Sequence, residues 1–234
     1  GINFALHYRF LKGNWKTYFK DRELHFFIGV IVFVMLIIVA QNYKLFETVE
    51  LAFRHVSFQV IALLTTTGYG SYDYELWTWL SRMLLFVLMF FGGMGGSTGG
   101  GLKNIRIMTL LKYGAREVRR LYHPTAVIPV QIGKQTIPMK TLQNTVGFFL
   151  QFMVVYVAVV IAMAAVGMDF ETALGSATAC LCNIGPGLGD VGPTENYAWV
   201  PASGKWILSF AMMFGRLEIL TVIVLLTKRF WKEN

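Results

Sequence analysis

Charge is scarce in this sequence. Only 15% of its 234 residues are Asp, Glu, Lys or Arg, against 55% hydrophobic, and the mean hydropathy is +0.53. Soluble domains carry about a quarter charged residues, so the composition excludes an ordinary one and points to a bilayer as solvent. Cysteine is scarcer still, with Cys180 and Cys182 the only two. Two apart in an apolar run, they cannot alone supply a four-ligand zinc site, and they read as small buried residues. The four histidines are scattered, and none stands in a His-Glu-x-x-His arrangement. Beyond Arg216 and Glu218 no acids, bases or metal ligands converge at membrane depth, which argues against a membrane-embedded enzyme.

What is present is length without charge. Leu24 to Ala40, Leu142 to Met168 and Trp206 to Leu226 are each long enough for a hydrocarbon core of about 30 Å, which needs roughly 20 helical residues. Leu76 to Met94, with only Arg82 near its start, is a fourth, so four spanning helices are predicted. A net charge of +8 could suggest nucleic acid, but its distribution argues otherwise. Sixteen of the 21 Lys and Arg lie before Leu24, between Lys103 and Lys140, or after Leu226, in alternation with the spans. By the positive-inside rule these segments are cytoplasmic, as are both ends of this segment, and the connections Gln41 to Glu75 and Asp190 to Lys205 face outward. Leu24 to Ala40 follows a long basic-aromatic stretch and lacks a small-residue cleavage site, so it is expected to be a span and not a secretory leader.

Each outward connection holds an apolar segment too short to cross: Val49 to Leu64, interrupted by Glu50, Arg54 and His55, and Phe170 to Cys182. Such lengths suggest re-entrant helices. Each ends in a glycine-rich turn, Thr65-Thr66-Thr67-Gly68-Tyr69-Gly70 and Asn183-Ile184-Gly185-Pro186-Gly187-Leu188-Gly189. Sliding the chain by 117 residues sets Phe53 on Phe170, Ala62 on Ala179, Leu64 on Leu181 and Gly68 on Gly185 without a gap, and puts Arg216 level with Gly99. The fold expected is an all-α membrane protein of two span, pore half-helix, span repeats. Residues 1–23 form a basic cytoplasmic segment, 24–112 the first repeat, 113–138 a cytoplasmic connection and 139–232 the second repeat.

Irregular backbone at membrane depth leaves N–H and C=O groups without water, and it persists only where protein or a water-filled path surrounds it. The order Thr66-Thr67-Gly68-Tyr69-Gly70 echoes the filter of potassium channels, whose carbonyl oxygens replace the hydration shell of the ion. A half-helix before each turn aims its negative end at the same place. The plainer alternative is a pair of helix caps in outward loops. Carbonyls serve sodium as well as potassium, so the residues alone do not choose the ion.

Thr65 to Gly70, Asn183 to Gly189, Gly95-Gly96-Ser97-Thr98-Gly99-Gly100-Gly101-Leu102-Lys103, His123-Pro124 and Phe214-Gly215-Arg216-Leu217-Glu218 together resemble the TrkH/TrkG branch of the Trk/Ktr/HKT superfamily of potassium uptake proteins. The resemblance covers essentially the whole chain. It implies four units around one pore, of which this chain supplies the third and fourth. Thr66, Thr67, Gly68 and Tyr69, with Asn183, Ile184 and Gly185, would then line half of a filter for K+. It further implies a multi-pass protein of a bacterial or archaeal cytoplasmic (inner) membrane, embedded in lipid. The expected partners are the remaining two repeats of a longer chain, a second copy in a homodimer, and a cytosolic nucleotide-binding regulator of the TrkA type; no nucleic acid is expected.

Seven glycines fill the ten positions from Gly92 to Gly101, about 20 Å along a helix from Leu76 and so inside the membrane. At about 1 kcal/mol per glycine relative to alanine, a helix there should break. Close helix packing through small residues is the structural alternative. A phosphate loop is discarded, because Gly101-Leu102-Lys103-Asn104 lacks the Gly-Lys-Ser/Thr ending. The resemblance implies an intramembrane gating loop made of Gly95, Gly96, Ser97, Thr98, Gly99, Gly100 and Gly101. Arg216, in the middle of the last predicted span, costs at least about 2.5 kcal/mol there and has Glu218 on a different helix face. Arg216 is therefore expected to look across the bundle toward the glycine segment as part of the gate, or else to pair with a buried acid. Between Lys103 and Lys140 we expect a basic helix ending near Tyr122, then strand-like residues Ala126 to Ile132. This stretch reads as solvated loop, or, by the resemblance, as the regulator's docking face.

The function expected is K+ uptake by a pore-forming subunit, with no reaction catalysed; the alternative is a non-conducting scaffold or regulatory subunit of the same fold. Two filter strands leave roughly half of an ion's coordination shell open, so the chain is not expected to conduct as a monomer.

Overall fold

The computed structural model describes residues 1–133 and 135–217. Two short helices, α1 (Phe4–Leu11) and α2 (Lys16–Lys20), precede α3 (Arg22–Asn42), whose first turn is capped by the Asp21 carboxylate accepting from the Leu24 N–H at 2.8 Å. A short 3-10 turn leads to α4 (Val49–Leu64), capped by Thr48, and after a glycine turn comes α5 (Trp79–Met89). A non-helical stretch separates α5 from α6 (Asn104–Tyr122). Strands β1 (Gln131–Ile132) and β2 (Gln135–Thr136) form a two-residue antiparallel pair. Helix α7 (Met139–Ala165), α8 (Phe170–Leu181) and α9 (Ala202–Arg216) complete the described chain.

Among the described residues, two helical segments are long and apolar enough to cross a membrane, Arg22–Leu45 and Met139–Ala165. They form the outer shell, with only 28% and 22% of their apolar windows buried. The most buried of the described helices is the 12-residue α8. Helix α8 is covered along almost every residue from Thr172 to Leu181, and its sequence explains how: Ala173, Gly175, Ser176, Ala177 and Ala179 are small enough for neighbouring backbones to close on it. Two of its buried hydroxyls turn back on their own helix, Ser176 to the Ala173 carbonyl and Thr178 to the Leu174 carbonyl, and the third, on Thr172, accepts from the Asp190 N–H, so no polar group is stranded. Helix α4 packs on α3 and buries Ala52, Val56, Val60, Leu63 and Leu64 on one side.

Three predicted elements differ in extent. The fourth predicted span, Leu76 to Met94, is helical only over Trp79–Met89. It stops because the glycine stretch folds back on its end: the Leu102 N–H donates to the Phe90 carbonyl at 3.2 Å and the Gly92 N–H to the Leu102 carbonyl at 2.7 Å. Helix α9 ends at Arg216, which therefore sits at a helix end and not in mid-helix; the rest of the predicted span to Leu226, with Glu218, lies outside the described residues. In the strand-like run Ala126 to Ile132 only the last two residues pair, across the turn at Gly133. Helix α6 does end at Tyr122, and Cys180 and Cys182 are both buried and unbridged.

Candidate functional site: two glycine turns and a glycine loop

Helices α4 and α8 end in the same way. After α4, the Thr66 N–H donates to the Leu63 carbonyl and the Thr67 N–H to the Ala62 carbonyl; after α8, the Asn183 N–H donates to Cys180 and the Ile184 N–H to Ala179. Every partner recurs at the 117-residue offset. This is a Schellman cap, which needs a left-handed residue just past the helix. Thr66 (φ +54°) and Asn183 (φ +55°) supply it, and they are the two non-glycine residues with positive φ among the described residues. Asparagine visits that region readily, whereas for β-branched threonine it is a genuine outlier. Gly68 (φ +74°) and Gly185 (φ +120°) follow at the same offset, in backbone states that side chains oppose.

The two turns touch. A Cβ built on Gly68 would overlap the Ile184 carbonyl oxygen, and one on Gly185 would lie 4.0 Å from the Gly68 carbonyl oxygen. Thr67 shares a 2.8 Å hydroxyl contact with Thr65, Tyr69 remains 69% exposed, and Ile184 is buried.

The glycine loop closes against both turns. A Cβ on Gly100 would overlap the Cys182 carbonyl oxygen, and one on Gly99 would lie 3.5 Å from the Thr65 carbonyl oxygen. The buried Gly100 N–H donates to Thr66 Oγ1 at 2.8 Å, which anchors the strained threonine. Farther along the loop, the Gly95 N–H donates to Glu23 Oε1 at 2.7 Å, and Gly96 accepts from the Phe4 N–H at 3.2 Å. Ser97 turns its hydroxyl back to the Met94 carbonyl. Arg216 reaches the loop as its position suggested, Nη1 donating to the Thr98 carbonyl at 2.6 Å. The Lys103 ammonium bonds to the Ser97 and Gly99 carbonyls. Thus two fixed cations face three successive carbonyls of the loop, around a cavity of about 180 Å³ that also reaches Gly101 and Arg106.

Sequence reasoning did not anticipate what holds the second turn from outside. The buried Tyr74 hydroxyl donates to the Gly187 carbonyl at 2.5 Å, and Tyr197 donates to the Gly185 carbonyl at 2.9 Å. Thr172 Oγ1 accepts from the Asp190 N–H, and Glu75 Oε1 accepts from the Gly189 N–H at 3.0 Å. Burial pushes the Glu75 carboxyl up, against the pull of the Arg82 charge and the Gly189 N–H. At the start of α8 the Thr172 side chain holds the Asp169 carboxyl low, against slight burial and with backbone N–H groups of Thr172 and Glu171 adding to the effect. The contacts that Tyr74, Glu75, Tyr197 and Thr172 Oγ1 make leave no local signal, because they join residues 12 to 114 apart in the chain, whereas the Asp169 carboxylate caps α8 within three residues of itself.

The family model for TrkH, described as a cation transport protein, matches residues 23–233. The chain belongs to this family. It is 39% identical over 236 residues to the Trk system potassium uptake protein TrkH of Salmonella typhimurium, covering 100% of this chain and 48% of that one. To the Trk system potassium uptake protein TrkG of Escherichia coli it is 29% identical, covering 99% and 48%. The crystal structure of the potassium transporter TrkH from Vibrio parahaemolyticus superposes with a TM-score of 0.91 at 37% identity, over 98% of this chain and 50% of that one. The chain thus spans about half the length of the curated relatives it matches. An all-α membrane transport fold follows from family and superposition together, and the family is one of transporters, not enzymes.

Proposed function

We propose that this chain is half of a potassium-conducting pore, with its two glycine turns as two of four strands of a carbonyl filter and its glycine loop as a gate. One observation carries the reading: helices α4 and α8 end in the same cap at a constant offset, their turns meet, and the glycine loop packs against both. Thr66, Thr67, Gly68 and Tyr69 with Asn183, Ile184 and Gly185 line the ion's path in this reading. Their carbonyls replace water around K+, while the negative ends of α4 and α8 favour a cation. The relatives' names supply the ion.

Gly95 to Gly101 block the inner exit, and Arg216 pins the block while its charge raises the barrier to a cation. Residues 24–112 and 139–232 are the two pore repeats, with 1–23 and 113–138 on the cytoplasmic side of the inner membrane. The missing filter strands come from two further repeats of a longer chain. That protein works as a homodimer, with a cytosolic regulator of the TrkA type at the basic face of α6.

The test is ion flux in liposomes from the full-length protein, beside residues 1–234 alone with their mass measured in detergent. Selective K+ flux from the full-length protein and none from the monomeric half is expected. No flux from the full-length protein would favour the scaffold reading, and robust selective flux from a proven monomer of residues 1–234 would end the four-strand ring.

A further inference from the structure

Arg82 is the one charge in α5, and a lone arginine there is costly unless it is paired. It is 12% exposed and pairs with two carboxylates from different parts of the chain, Glu75 just before α5 and Glu171 in the first turn of α8. Its guanidinium also lies over the Trp79 ring at 4.7 Å. One cation thus ties the outer connection of the first repeat to the half-helix of the second.

Glu75 does more than neutralise Arg82. Its Oε1 accepts from the Gly189 N–H, at the far end of the second glycine turn. The neighbouring Tyr74 donates to Gly187 in the same turn. The packing is tight on this side: a Cβ on Gly192 would stand 3.2 Å from Glu75 Cγ, and one on Gly189 would stand 2.5 Å from Thr172 Oγ1. Tyr74 and Glu75 of the first repeat therefore clamp the second turn, and Arg82 orients the clamp. At the ungapped offset the second repeat carries Val191, Gly192 and Trp199 in place of Tyr74, Glu75 and Arg82, so the clamp is built once in this chain.

We propose that Arg82 is a positioning residue for ion selectivity: through Glu75 it fixes the turn from Asn183 to Gly189, although it lies outside the ion path. The inference rests on the pore reading above. Replacing Arg82 frees Glu75 to swing away from Gly189, and the second turn loses one of the outer bonds that hold its carbonyls in register.

The test uses the full-length protein in liposomes, with K+ and Na+ permeability and thermal midpoint measured on the same preparations. Arg82→Gln is expected to lower the K+ over Na+ ratio about tenfold, as the loss of one charge-assisted hydrogen bond at the filter allows. Wild-type protein that passes no cation would sink the pore reading itself. With wild-type flux in hand, an unchanged ratio in Arg82→Gln overturns this inference alone, whether or not the thermal midpoint falls. If Arg82→Gln does not assemble, Glu75→Ala decides, because it removes the Gly189 acceptor and leaves Arg82 paired with Glu171: a lowered ratio supports the clamp, and an unchanged one overturns it.

Discussion

Gly68 and Gly185 stand at equivalent places in the two turns, yet the structure makes them unequal, and Gly68→Ala against Gly185→Ala measures the difference. Both backbones have positive φ, so a side chain at either costs on the order of 1–3 kcal/mol in strain. At Gly185 that is the main cost, since the nearest atom to a new Cβ is the Gly68 carbonyl oxygen at 4.0 Å, an ordinary contact. At Gly68 the new Cβ overlaps the Ile184 carbonyl oxygen, with Pro186 Cδ 3.3 Å away. Neither is the tip of a flexible side chain, so backbone must shift, and overpacking of this kind adds about 1–3 kcal/mol. Gly68→Ala should therefore be the more destabilising by about 1–3 kcal/mol, and should distort the opposite turn at Ile184 as well as its own. The assay is the thermal midpoint of the full-length protein in detergent, with K+ against Na+ flux in liposomes. Both variants should lose selectivity, Gly68→Ala the more. A Gly185→Ala variant that is the less stable of the two, or the less selective, would refute the contact geometry from which the order is worked.

Arg216→Ala should raise basal flux, because it removes both a positive charge and the hydrogen bond that pins the Thr98 carbonyl; a fall in thermal midpoint with no gain of flux would assign Arg216 to an ion pair instead. Thr66→Val keeps the side chain's shape and deletes the acceptor of the buried Gly100 N–H, at about 1–3 kcal/mol, so it should lower the thermal midpoint and raise flux; unchanged values for both would mean that loop and turn are not coupled. Asp169 is held below its ordinary value of 3.8, so its contribution to stability is present above that pH and is lost as pH falls through the lower folded value. Asp169→Asn should flatten this acid limb in a pH series of thermal midpoints, and an unchanged limb would contradict the cap's role.

The elements of the fold were legible in the sequence because they depend on local properties. Val49–Leu64 and Phe170–Leu181 were readable as short helices from the length of an apolar run and the glycines that follow it. The break after Met89 was readable from the density of glycine, and the level of Arg216 from a constant offset between two halves. Each signal sits within a few residues of its effect. Tertiary structure alone decided how the halves meet. That Gly68 presses on Ile184, that Gly100 closes against Thr66 and Cys182, and that Tyr74 and Glu75 hold the turn beginning at Asn183 are contacts across 34 to 116 residues of chain. Sequence spacing says nothing about such pairs, because a buried hydroxyl or carboxylate takes whichever partner the packing of helices brings within reach. Arg82 shows the division: the sequence marked it only as the one charge near the start of an apolar run, and the packing of α5 beside α8 decided that Glu75 and Glu171 pair with it.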